Sequence, residues 1–103
     1  MKLFVDDERS APEGWTLIKT SLETIALMHL LRERGETLEA LSLDHDLGGD
    51  DTTRPIMLWM CQHDWWPAAL SVHTANPVGR DFLQGMADRY GPDTMVKTWP
   101  KTR

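Results

Sequence analysis

The chain has one cysteine, Cys61, so no internal disulfide can form, and a reducing, cytoplasmic setting is the expectation. No apolar run approaches the ~20 residues that span a bilayer. The opening Met1-Lys2-Leu3-Phe4-Val5-Asp6-Asp7 turns acidic too soon for a signal peptide, so no membrane partner is expected. Basic residues are also in deficit. Eleven Lys and Arg against 16 Asp and Glu leave a net charge of −5. Broad DNA or RNA binding needs a basic surface that displaces counterions, so this balance excludes it. A local pocket for one phosphate remains compatible with it. Repeats and low-complexity segments are absent.

What is present suits one small domain over residues 1–103. Hydrophobic residues make up 41% and charged residues 26% of the chain, which is ordinary globular composition. At this length about two-thirds of the unfolded surface can be buried, enough for one modest core. Leu3-Phe4-Val5 is a short unbroken apolar run of the kind found in strands of parallel sheets. A second strand is expected at Trp15 to Ile18, after a loop holding Pro12 and Gly14. Thr20 and Glu23 have the spacing of a capping box, in which each side chain satisfies a backbone N–H at the helix start. The helix that follows ends at Gly35.

Leu38 to Leu43 reads as a third strand running into Asp44-His45-Asp46. Pro55 suits the first turn of another helix, which ends near Trp66-Pro67. A fourth strand, Ala68 to Val72, ends at His73. Asn76 is an N-cap and Pro77 the first residue of a third helix, stopped by Gly91-Pro92. Thr94 to Thr98 is a fifth strand. Strands alternating with helices predict a parallel α/β sheet with helices on both faces. The first two strands are joined by only about ten residues, near the lower limit for a parallel crossover. Either a degenerate helical turn lies there or one of the two strands is missing.

Three strand ends carry the polar groups. The first offers Asp6, Asp7 and Arg9, the third Asp44, His45 and Asp46, and the fourth His73, Thr74 and Asn76. In open α/β sheets ligands bind outside the carboxyl ends of the strands, where strand order reverses. With these strands adjacent, about 4.8 Å apart, the side chains line one crevice. Asp6, Asp7, Asp44 and Asp46 would repel one another there, so proton uptake or a cation must compensate. Mg²⁺ suits the oxygen donors, and the two histidines extend the choice to Mn²⁺ or another transition metal. Arg9 could neutralise the carboxylates or grip a phosphate in a bidentate fork. The helix start Asn76-Pro77-Val78-Gly79 offers backbone N–H groups to an anion. The tryptophans read as packing, and Cys61 as a buried, unreactive thiol.

An apolar strand ending in two aspartates, one ending in an aspartate, and one ending near Thr-Ala resemble a response-regulator receiver domain. In that family the acidic pair and a phosphoacceptor aspartate hold Mg²⁺. Asp6, Asp7 and Asp44 match these positions, and Thr74-Ala75 matches the small hydroxyl position. The chain is more similar still to the cyclic-phosphate-processing receiver domains. The residues that carry this are Asp6-Asp7-Glu8-Arg9-Ser10-Ala11-Pro12, Ser42-Leu43-Asp44-His45-Asp46-Leu47-Gly48 and His73-Thr74-Ala75-Asn76-Pro77-Val78-Gly79.

The resemblance implies a flavodoxin-like sheet in the order 2-1-3-4-5 with a reduced first helix. It also implies a phosphoesterase acting on a cyclic nucleotide or an RNA cyclic-phosphate end. Ordinary receivers carry a lysine at the end of the fifth strand, where this chain reads Thr98-Trp99-Pro100, with Lys97 and Lys101 out of register. Phosphorylation of Asp44 by a kinase is therefore disfavoured. Two histidines are gained, which favours acid–base chemistry.

The expected roles follow. His45 and His73 form the acid–base pair. Asp6, Asp7, Asp44 and Asp46 hold a divalent ion that activates water. Arg9, Thr74, Asn76 and Gly79 hold the phosphate. In a variant of this scheme Asp44 is a covalent nucleophile. The alternatives are a signalling receiver without turnover and a protein that sequesters a cyclic nucleotide. The oligomeric state is not legible.

Overall fold

A computed structural model describes residues 1–99. Five strands, β1 (Lys2–Val5), β2 (Thr16–Ile18), β3 (Ala40–Leu43), β4 (Ala69–Val72) and β5 (Val96–Lys97), form one sheet in the order β2-β1-β3-β4-β5. Every pairing is parallel, with Leu3 opposite Leu41 and Leu41 opposite Leu70 at the centre. Three helices, α1 (Ser21–Glu33), α2 (Arg54–His63) and α3 (Pro77–Tyr90), make the crossovers from β2 to β3, β3 to β4 and β4 to β5. This is the receiver-like α/β topology, and its first connection, residues 6–15, contains no helix.

The sheet is covered by helices on one face, where the alternation of strands and helices predicted two. The three helical crossovers all step the same way across the sheet, and right-handed crossovers then place them on one side. Only the connection from β1 to β2 steps back, and it is a loop. The core shows the same asymmetry. Leu3, Val5, Leu41, Leu43 and Leu70 form one buried cluster with Met28, Ile56, Met57, Met60 and Leu83 from the helices. Phe4 and Ser42 alternate with them and lie on the other face. Phe4 is covered there by its neighbours, meeting Trp15 edge-on and stacking on His73.

The element ends have local causes. Thr20 caps α1 by accepting the Glu23 N–H, and its hydroxyl donates to the Glu23 carboxylate. The box thus closes through the two side chains instead of through the Thr20 N–H. A longer-range partner completes this end. The Asp51 carboxylate accepts the Ser21 N–H and hydroxyl at 2.9 and 2.5 Å. Helix α2 stops at His63, short of Trp66, because Asp64 turns left-handed with φ 47° and Trp65 N–H bonds back to Met60. Strand β5 is reduced to two residues because Met95 is still in a turn on Pro92. Trp59, Trp65 and Trp66 pack on the core, as read from the sequence. Burial pushes the Cys61 thiol up. Among the described residues, no helix is long and apolar enough to cross a membrane.

Candidate functional site

Asp6 is the pivot of the carboxyl edge. Its backbone still pairs with β2, through Ile18 O, yet its side chain is fully buried. One carboxylate oxygen accepts the N–H groups of Glu8 and Arg9 at 2.8 and 2.9 Å, which turns the chain sharply after β1. The other lies 2.9 Å from His73 Nε2. Burial raises the Asp6 carboxyl, but the N–H groups of Arg9 and Glu8 and the His73 ring outweigh it and hold the group below the ordinary carboxylate value. Asp6 is therefore an ionised acceptor, and His73 Nε2 carries the shared proton. The other ring nitrogen, Nδ1, is 2.7 Å from the buried Ser42 hydroxyl. With Phe4 stacked 4.3 Å from its ring, His73 is fixed in orientation.

Asp44 follows β3 and accepts the His45 N–H at 2.7 Å through one oxygen. The loop after it is self-bonded. Asp46 bridges to Thr52, Leu47 N–H reaches Asp51 O, and the Thr53 hydroxyl donates to Asp44 O at 2.6 Å. Gly48 has φ 86°, and a Cβ there would lie 2.9 Å from the Asp7 carboxylate, so glycine lets this loop and the turn after β1 close together.

A cleft of about 320 Å³ opens between these ends. Asp6, Asp7, Glu8, Asp44 and Asp46 put five carboxylates on its walls, against Arg9 as the cationic lining residue. Arg9 reaches across to the His73 carbonyl at 3.4 Å. Thr74 and Asn76 complete the rim, and the Thr74 hydroxyl accepts the Asn76 N–H.

Asp6, Asp44 and His73 offer ligand atoms within 4.8 Å of one another, a group that could hold a metal ion. The carboxylates give oxygen donors of the kind divalent ions take, and His73 would add a nitrogen only on releasing the Nε2 proton it shares with Asp6. Asp7 and Asp46 stand outside this group. Asp46 has both oxygens engaged, one by the Asn76 amide and one by His45, and these bonds hold its carboxyl below the ordinary value.

Three expected site residues do not line the cleft: His73, which lies beside it against Asp6, and His45 and Gly79. His45 is only 5% exposed. Its Nε2 accepts from Arg54 Nε at 2.8 Å, and its Nδ1 meets Asp46 at 3.1 Å. Gly79 lies against the His45 ring, where a Cβ would come within 2.2 Å, and its N–H is already taken by Asn76 Oδ1 at 3.1 Å. Lys97 is bound to Asp88 of α3 at 2.9 Å and does not line the cleft. Lys101 lies outside the described residues. Sequence reading missed Ser42, Asp51 and Arg54 as participants. Ser42 faces solvent or neighbour only once the sheet forms, and Asp51 and Arg54 read as an ordinary loop residue and a helix start.

The chain matches the family model described as "cyclic-phosphate processing receiver domain" over residues 1–89. No curated protein and no solved structure matches it. A receiver-like sheet with an acidic cleft at its carboxyl edge and that match over most of the chain lead to one conclusion: the chain belongs to the cyclic-phosphate processing receiver domain family.

Proposed function

We propose that the protein hydrolyses a cyclic phosphodiester, in a cyclic nucleotide or at an RNA cyclic-phosphate end, with the help of a divalent cation. The observation that carries this reading is the convergence of Asp6, Asp44 and His73 at the edge of a cleft that five carboxylates and one guanidinium line. An anionic phosphodiester entering such a cleft is repelled unless a cation offsets the carboxylates. Asp6 and Asp44 would hold the ion, with Asp7 at the rim. When bound it supplies charge neutralisation and a more acidic water.

The chain's own groups do the rest. Arg9, which reaches the carbonyl of His73 next to Thr74, and Thr74 itself line the cleft and would hold the phosphoryl oxygens. His73 holds a proton at Nε2 against Asp6, within the same cluster. In its imidazolium form His73 would give the Nε2 proton to the ring oxygen as a water oxygen bonds to phosphorus and the ring P–O bond breaks, and the neutral imidazole left behind would take the proton lost by the water. Keeping the Nε2 proton makes His73 an acid, releasing it makes His73 a ligand, and the proposal assigns the first role. His45 acts behind the cleft. A kinase-driven receiver is disfavoured, because Lys97 is committed to Asp88.

The test is incubation with a panel of 2′,3′- and 3′,5′-cyclic nucleotides, with Mn²⁺, Mg²⁺ or EDTA, and separation of products by chromatography. Metal-dependent conversion to a monophosphate, lost in Asp44→Asn, is expected. A second reading, binding without turnover, is favoured by the fact that all four ring nitrogens of His45 and His73 already have partners. Saturable binding with no product in any arm would select it.

A further inference from the structure

Arg54 begins α2 and does not line the cleft, and none of the motifs points to it. Its side chain nevertheless ends in two specific contacts. The guanidinium carbon lies 4.3 Å from the centre of the Phe82 ring, and Nε donates to His45 Nε2 at 2.8 Å. A guanidinium has donors only, so His45 Nε2 must be the acceptor. The neutral His45 ring then carries its proton on Nδ1, which points at Asp46 Oδ1, 3.1 Å away. The other Asp46 oxygen accepts from Asn76 Nδ2 at 3.1 Å, and this sets the Asn76 amide so that its Oδ1 caps the Gly79 N–H at 3.1 Å. Four hydrogen bonds therefore link Arg54 to the amino end of α3 and converge on Asp46, two donated from the Arg54–His45 side and two from the Gly79–Asn76 side. Two of the four groups they orient, Asp46 and Asn76, line the cleft.

We propose that Arg54 is a positioning residue: by fixing His45 in the Nδ1–H tautomer it orients Asp46 and Asn76 at the cleft wall. The inference rests on the cleft being the functional site but not on hydrolysis. The alternative is that Arg54 only packs on Phe82. Methionine would keep much of that packing and remove the donor, whereas lysine keeps the charge and loses the planar stacking fork. Among the described residues, Arg54 is the hydrogen-bond donor to His45 Nε2. Gly79 meets the other side of the ring with no side chain.

The test is long-range ¹H–¹⁵N NMR of the His45 ring and amide spectra of the apo protein at one neutral pH. Wild type should show Nδ1 protonated and Nε2 bare. In Arg54→Met the ring should lose that pattern and the Gly79 amide, which Arg54 does not touch, should shift. Thermal melts confirm that the variant is folded, and Arg54→Lys serves in its place if it is not. Binding of a ribonucleoside 2′,3′-cyclic phosphate should weaken about tenfold, as for other outer-shell changes. A wild-type ring protonated on Nε2, or an Arg54→Met spectrum with ring and Gly79 unchanged, overturns the proposal. If the nucleotide binds neither protein while the ring pattern changes as expected, the positioning role stands and the functional reading of the cleft falls.

Discussion

The two histidines at the carboxyl edge follow apolar strands in much the same way, yet their surroundings are opposite in kind. His73 sits at the end of β4 between a buried carboxylate and a buried hydroxyl, beside the cleft. His45 lies beneath α3, between a guanidinium and a 60%-exposed carboxylate. An anionic partner leaves a proton on the facing nitrogen of His73, and a cationic partner leaves that of His45 without one. The same side chain is thus prepared as a proton donor in one place and held as a neutral spacer in the other. Position after a strand decides only that a histidine reaches the edge. Its neighbours decide what it can do there.

The sharpest way to break this comparison is to truncate each ring. His73→Ala should lower hydrolysis by ~10²–10⁴-fold, the usual range for a proton-transfer group, and should also lower the melting temperature, because it leaves the buried Asp6 carboxylate and Ser42 hydroxyl without the ring. His45→Ala should cost activity far less, its main effect being on stability, because it leaves Arg54 Nε without its acceptor. Equal losses in both variants, read by steady-state kinetics and thermal melts, would erase the distinction.

Next in size is Asp6→Ala, which removes the acceptor of two backbone N–H groups and of His73. A loss of about 2–3 kcal/mol in urea unfolding is expected, and a loss under about 0.5 kcal/mol would show that the turn after β1 holds without it. Gly79→Ala tests the His45 side. Its Cβ would sit 2.2 Å from the ring, so the ring must move, at a cost of about 2 kcal/mol. Most of that cost should vanish in the His45→Ala background, and simple additivity of the two changes would show that they do not touch.

The smallest effect is in acid. Asp6 and Asp46 both sit below 3.8 in the folded chain. Their lowered values add stability above the unfolded value, and this is lost as pH falls through the folded one. The contribution of these two carboxylates to the melting temperature should be lost below about pH 4. Asp46→Asn should fall less steeply, and identical slopes would remove Asp46 from the acid response.

Much of the edge was legible because strand ends are written locally. Leu3-Phe4-Val5 before Asp6, and Leu41-Leu43 before Asp44, place the carboxylates without any tertiary knowledge. Arg54 was not legible, since a helix-starting arginine in sequence has no visible acceptor. Nor was the Asp51 bond to Ser21, which joins residues 30 apart. The resemblance placed His45, Asn76 and Gly79 in one motif family but could not say that the ring of the first would rest on the last.

By itself the sequence determined the parallel α/β class, the strand and helix order, and the acidic carboxyl edge. Periodicity, caps and turn residues act over a few positions, so they can be read along the chain. Only the tertiary structure decided that all helices cover one face, because this depends on the direction each crossover takes across the sheet. It alone also decided which oxygens and ring nitrogens are already taken. Those pairings join β1 to β4 and α2 to the loop before it, and they exist only when the chain is folded.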